Sequence, residues 1–110
     1  MSYLQGTVDV MILKTLSDGP SHGFGISKAI RERSDGVLGL EDAALYQALH
    51  RMESKGWLES DWGLSENNRR AKFYQMTSEG ERQLSIETVS WQRYALAVFK
   101  VLDLGFEVRQ

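Results

Sequence analysis

The 110-residue sequence has no cysteine and a single proline, Pro20. Without cysteine there are no disulfides, thiol nucleophiles or thiolate zinc sites, which fits a reducing compartment. No apolar run approaches the ~18 residues needed to cross a bilayer. The start, Met1-Ser2-Tyr3-Leu4-Gln5, has neither the basic residues nor the apolar stretch of a secretion signal. A complete, cytoplasmic chain with no membrane partner is the expectation. Histidine is scarce too: His22 and His50 lie far apart, without the i, i+4 spacing of a helical metal site. Gly23-Phe24-Gly25 lacks the preceding strand and the third glycine of a dinucleotide fingerprint, and reads as a close helix contact. No lysine sits in a phosphate-cradling loop, and no nucleophile, base and oxyanion site come together. Catalysis, a cofactor and a metal are therefore not expected.

Excess positive charge is also missing. Lys plus Arg total 13 against 15 Asp plus Glu, a net charge of −2, whereas nucleic-acid-binding domains are often basic. Phosphate contacts are made by one face, however, so local distribution decides. Asn67-Asn68-Arg69-Arg70-Ala71-Lys72 holds three cations and no acid, while Glu41, Asp42, Glu79, Glu81 and Glu87 lie elsewhere. With 42% hydrophobic and 25% charged residues, the chain has the composition of a folded domain with one core.

Leu4, Val8, Met11, Ile12 and Leu16 recur at helical spacing, with Thr7 as the N-cap, and Asp18-Gly19-Pro20-Ser21 ends that helix. Ser21 can cap a second helix over about 22–34, with Ile26, Ala29 and Ile30 inward; Val37 to Leu40 reads as a short extended piece. A third helix spans about 41–55, burying Leu45, Ala48, Leu49 and Met52 and ending at Gly56. Its other face carries Ala43, Gln47, His50 and Ser54, with Tyr46 and Arg51 on the shoulders. The period then changes: Trp57 to Trp62 and Phe73 to Thr77 read as strands, joined by a long polar loop from Gly63 to Arg70. Thr77 or Ser78 starts a last helix running to about Leu104. There is no internal repeat and no low-complexity segment.

Three helices, a hairpin and a long terminal helix make a winged helix-turn-helix plan with an extra arm. The fold class expected is mainly α with a small β-hairpin (α+β). Residues 1–77 form the DNA-binding domain, and residues 78–110 the C-terminal dimerisation helix and tail. A helix fits the major groove, where base edges are distinguishable, and a basic hairpin can follow the backbone or enter the minor groove. In that arrangement Gln47 pairs with adenine and Arg51 with guanine or phosphate. Tyr46 and His50 hold phosphate oxygens, and Asn68, Arg69, Arg70 and Lys72 form the wing's contact. The amphipathic last helix is too long for a three-helix core, and a second copy is its simplest partner. Its stripe of Leu84, Thr88, Trp91, Ala95, Val98 and Leu102 is the dimer interface expected.

Three motifs in order resemble PadR-family regulators: Leu4-Gln5-Gly6-Thr7 with Gly19-Pro20-Ser21-His22-Gly23-Phe24-Gly25-Ile26; Ala44-Leu45-Tyr46-Gln47-Ala48-Leu49-His50-Arg51-Met52-Glu53; and Glu66 to Tyr74 with Thr77 and Gly80. The likeness covers about Leu4 to Leu104, and the single-helix tail resembles the subgroup with a short C-terminal helix. It implies a homodimeric repressor, paired through its last helix, on an inverted-repeat operator in double-stranded DNA. Some relatives are released by small aromatic or cationic ligands, which would place a small aromatic ligand between paired Trp91 residues here. Two positions depart from the family pattern: Ala44 stands where Ser or Thr is usual, removing a hydroxyl anchor for phosphate, and Gln47 where Pro is frequent. The competing reading is a winged-helix adaptor whose basic wing meets an acidic protein surface. The outer face of the third helix would then be a solvated surface.

Overall fold

The structure, a computed structural model, describes the backbone of residues 2–104 and the side chains of residues 6–104. Leu4, expected on the first helix's apolar face, falls outside the described side chains. Helix α1 (Ser2–Leu16) buries Ile12, Leu13 and Leu16. It starts five residues before the expected cap, so Thr7 is not an N-cap but lies within the helix. Its Oγ1 accepts a hydrogen bond from Trp91 Nε1 at 2.8 Å. Docking on the last helix outweighs the weak local cap signal.

A short strand that periodicity does not reveal follows, β1 (Ser21–His22), too brief to show alternation. Ser21 is consequently not the cap of α2 (Gly23–Arg33). Its backbone belongs to the sheet, and His22 caps instead, Nδ1 accepting from Gly25 N–H at 3.0 Å. The chain leaves α2 through two left-handed residues, Asp35 (φ 54°) and Gly36 (φ 82°). Gly36 N–H closes on the Arg31 carbonyl at 2.8 Å. Val37 to Leu40 makes no strand pairing; Leu38 N–H donates to Ser34 Oγ at 3.0 Å, and Leu40 leans on the core.

Helix α3 (Asp42–Ser54) turns Leu45, Ala48, Leu49 and Met52 into the core, each at 1% exposure or less. Full burial of such side chains stabilises by roughly 1.5–3 kcal/mol each for the larger ones. The hairpin strands β2 (Leu58–Leu64) and β3 (Arg70–Met76) are longer than alternation suggests, leaving only residues 65–69 as the tip. Asn68 (φ 64°) supplies the left-handed turn, its N–H donating to the Ser65 carbonyl at 2.9 Å. The antiparallel sheet has the order β1-β3-β2.

Helix α4 (Ser78–Val101) starts at Thr77, whose Oγ1 accepts from Gly80 N–H at 3.1 Å and donates to the Gly56 carbonyl at 2.6 Å. Gly80 lies so close to the Trp57 carbonyl that a Cβ there would collide with it. The helix closes at Leu102, two residues before the expected end, and Asp103 turns left-handed (φ 60°). At 24 residues α4 is about 36 Å long, drawing the molecule out to 49 × 29 × 28 Å. Among the described residues no helix is long and apolar enough to cross a membrane, and no group of side chains is arranged to hold a metal ion.

Candidate nucleic-acid interface

Because α3 spends its apolar stripe on the core, its opposite face is fixed in place and open to solvent. Ala43, Ala44, Gln47 and His50 are exposed. Tyr46 is half-exposed, with its ring and hydroxyl against Gly23. A Cβ at Gly23 would strike that ring, so the glycine that opens α2 is what lets the Tyr46 ring lie against it. The Tyr46 hydroxyl thus sits at the start of α2, where backbone N–H groups favour an anion.

Arg51 is placed differently from Gln47 and His50. Its guanidinium forms an ion pair with Asp9 of α1, whose side chain is 6% exposed against 28% for Arg51. One shoulder of α3 is therefore tied to the core, and the structure does not bring Arg51 onto the open face with the other predicted residues. Hydrophobic periodicity at Val8 and Ile12 gives no hint that the acid between them is buried.

The wing sorts its side chains by the two-residue period of its strands. Register pairs Ser60 with Tyr74, Trp62 with Lys72 and Leu64 with Arg70, all on the face that continues from the core residue Leu58. The opposite face carries Glu59, Asp61, Phe73 and Gln75. Cations thus share the inner face with exposed apolar groups, while the strand acids lie behind it. The Arg70 guanidinium lies 4.5 Å from the centre of the Trp62 ring. Lys72 Nζ is 3.7 Å from Glu53 Oε1 on α3. Arg69 and Arg70 have no acidic partner among the described residues.

Between wing and helices lies a cleft of about 610 Å3, whose walls include Phe24, Tyr46, Trp62, Arg69, Arg70 and Lys72. Tyr74 forms part of its floor; burial, then the nearby Glu53 carboxylate, then Tyr46 hold its phenol above the usual tyrosine value. It stays protonated and adds no negative charge. Sequence reasoning placed Tyr46, Arg69, Arg70 and Lys72 at the interface, and the fold brings these four to one cleft. It missed Trp62 and Phe24, which are 57% and 70% exposed. Strand register was the signal that could have found Trp62, since it lies opposite Lys72.

The expected stripe on α4 is divided. Leu84 packs against the core, Trp91 is bonded to Thr7, and Thr88 lines a second cleft. Ala95 and Val98 are half-buried and Leu102 is 60% exposed. Ile86, Val89 and Leu96, on another flank, are exposed apolar residues outside that stripe. The second cleft, about 430 Å3, lies between α1, the end of α2 and α4, with Met11, Ile30, Leu38 and Trp91 in its walls and Lys14 and Arg33 contributing to its lining.

Residues 12–86 match the model of the transcriptional regulator PadR-like family. A transcriptional regulator from Clostridium thermocellum has a similar structure, with a TM-score of 0.78 and 32% identity over 88% of this chain and 91% of that one. A PadR family transcription regulator from Clostridium difficile is also 32% identical, over 86% of this chain and 96% of its own, with a TM-score of 0.69. An uncharacterized protein from Lysinibacillus sphaericus is 28% identical over 104 residues, covering 94% of this chain and 92% of the relative.

Proposed function

Because the chain belongs to the PadR-like family of transcriptional regulators, which are not enzymes, we propose that it is a homodimeric repressor of the cytoplasm that binds an inverted-repeat operator. The supporting observation is that Tyr46 of α3 and Arg69, Arg70 and Lys72 of the wing line one cleft, while Gln47 and His50 of the same helix are exposed. Helix α3 enters the major groove with Gln47 as an adenine reader, and His50 holds a phosphate oxygen. Tyr46 offers its hydroxyl to a phosphate at the start of α2, and Asn68, Arg69, Arg70 and Lys72 follow the backbone or the minor groove. Arg51 is paired with Asp9 of α1, so in this reading it first of all holds α3 on α1. Residues 1–77 read DNA and residues 78–110 pair the copies.

Dimerisation uses α4. Ala95 and Val98 are half-buried, Leu102 is 60% exposed, and Val101 next to it is 84% exposed. Apolar area of this kind on a projecting helix is what a second copy buries. Release by a small aromatic ligand is part of the proposal, supported by an apolar cleft lined in part by Trp91, a residue 41% exposed. Trp fluorescence that did not respond to a panel of flat aromatic cations would remove that part.

Selection from a random duplex library tests the whole reading. The expected product is an inverted repeat with half-site centres about one helical turn, ~34 Å, or a multiple of it apart. No enrichment by folded, dimeric protein would overturn it in favour of an adaptor whose basic wing meets an acidic protein.

A further inference from the structure

The inner face of the wing carries more than charge. Trp62 and Leu64, 57% and 65% exposed, are two residues apart on β2 and so project to the same side. They face no core: the buried part of this sheet face ends at Leu58 and Tyr74. A folded protein gains nothing from leaving an indole and a leucine in water on a hairpin that strand polarity could have kept charged. Their neighbours narrow the choice of occupant. Lys72 lies directly across from Trp62, Arg70 directly across from Leu64, and the Arg70 guanidinium covers the indole at 4.5 Å. The strand acids Glu59 and Asp61 point the other way. Lys72 is shared with Glu53, and Glu66 also lines the cleft. Arg69 and Arg70, however, have no acidic partner among the described residues, so this face favours an occupant that offers apolar surface beside negative charge. The sugar-phosphate backbone of duplex DNA has that pattern: deoxyribose carbons lie between phosphates, and they wall the minor groove.

We infer that Trp62 is a DNA-contacting residue, its indole and the Leu64 side chain seating on deoxyribose while the ring holds Arg70 extended toward a phosphate. The inference rests on the DNA-binding reading above and adds to it a contact that carries no charge. Stacking restricts the long arginine before binding, so less freedom is lost when its fork engages the phosphate. Trp62→Ala removes both effects and weakens duplex binding about fivefold to tenfold. Trp62→Phe keeps a ring under Arg70 and recovers most of the affinity.

The test uses protein labelled with 5-fluorotryptophan at all three tryptophans, with the Trp62 fluorine resonance assigned by its absence in Trp62→Phe. The probe is a mixed-sequence duplex three helical turns long, at low salt, with binding followed in parallel by anisotropy. On binding, the Trp62 resonance is expected to shift and to lose its difference between H2O and D2O. Trp62→Ala is expected to bind more weakly while its thermal midpoint stays that of the parent, because so much of the side chain is solvated. If the duplex binds but Trp62 stays as solvated as before, or Trp62→Ala binds as well as the parent, the inference fails and the DNA-binding reading stands. If folded protein binds no duplex at all, both fall, and an acidic protein becomes the occupant of this face.

Discussion

Removing Asp9 or Arg51 separately and together shows whether α3 is anchored through its own shoulder. Asp9 is 5% exposed as a residue and Arg51 keeps 28% of its side chain in water. Breaking a buried ion pair by deleting one partner costs about 3–5 kcal/mol, mostly from the charge left behind. Asp9→Ala leaves the arginine, which can swing toward solvent, so about 2–3 kcal/mol is expected. Arg51→Met leaves the carboxylate, which has no such route, so about 3–4 kcal/mol is expected. The pair is imperfect, since Arg51 Nε is buried without a hydrogen-bond partner among the described residues. The double variant, apolar on both sides, should therefore lose only about 1 kcal/mol, giving a coupling of several kcal/mol. Urea unfolding at fixed protein concentration measures this. With a slope of about 1–3 kcal/mol per molar urea, Arg51→Met lowers the midpoint by at least about 1 M. Fixed concentration matters because the proposed pairing of copies would add its own stability. If Arg51→Met unfolds at the parental midpoint while losing DNA affinity, the arginine belongs to the DNA-contacting set and the anchor account is wrong.

Other perturbations probe other parts of the account. Arg69→Ala should weaken binding to every duplex and lower the slope of log affinity against log salt by ~1; an unchanged slope would remove Arg69 from the phosphate contact. Gly80→Ala, forcing a methyl into the Trp57 carbonyl, should cost about 1–3 kcal/mol by thermal unfolding, and an unaltered midpoint would contradict the packing of α4 on the hairpin's base. Val98→Asp with Leu102→Asp should sediment as a monomer, whereas a persistent dimer would move the interface elsewhere. Glu79, hydrogen-bonded first to Arg82 and then to Gln83, has its carboxyl lowered to about 2. The folded state therefore binds fewer protons than the unfolded one below the ordinary carboxylate range, and this contribution to stability fades as pH falls toward about 2. A Glu79 carboxyl that titrates in NMR near the ordinary value, or that does not rise in Arg82→Ala, would refute the bridge.

The long elements were readable because their burial is periodic. Leu45, Ala48, Leu49 and Met52 announce the third helix and its inner face, and that fixes the outer face too. Thr7 and Ser21 misled for a common reason: each is a good cap by type, but packing against α4 in one case and pairing with Tyr74 in the other fixed the backbone otherwise. Arg51 looked like a groove residue because helical spacing gives its angle, not the acid waiting across the core. The wing's cations were legible as a run. Their sorting onto one face with Trp62 was not, because that depends on register, which is set by a turn at Asn68 shorter than the polar composition of the loop suggests.

The most direct measurement is fluorescence anisotropy of the duplex recovered by selection, titrated with protein at several salt concentrations alongside a scrambled duplex of equal length. Two chains per duplex are expected, with affinity that falls steeply as salt rises and binding at least ~1,000-fold tighter than to the scrambled sequence. Equal affinity for both duplexes, or no binding at any salt by protein shown to be folded and dimeric, would contradict it.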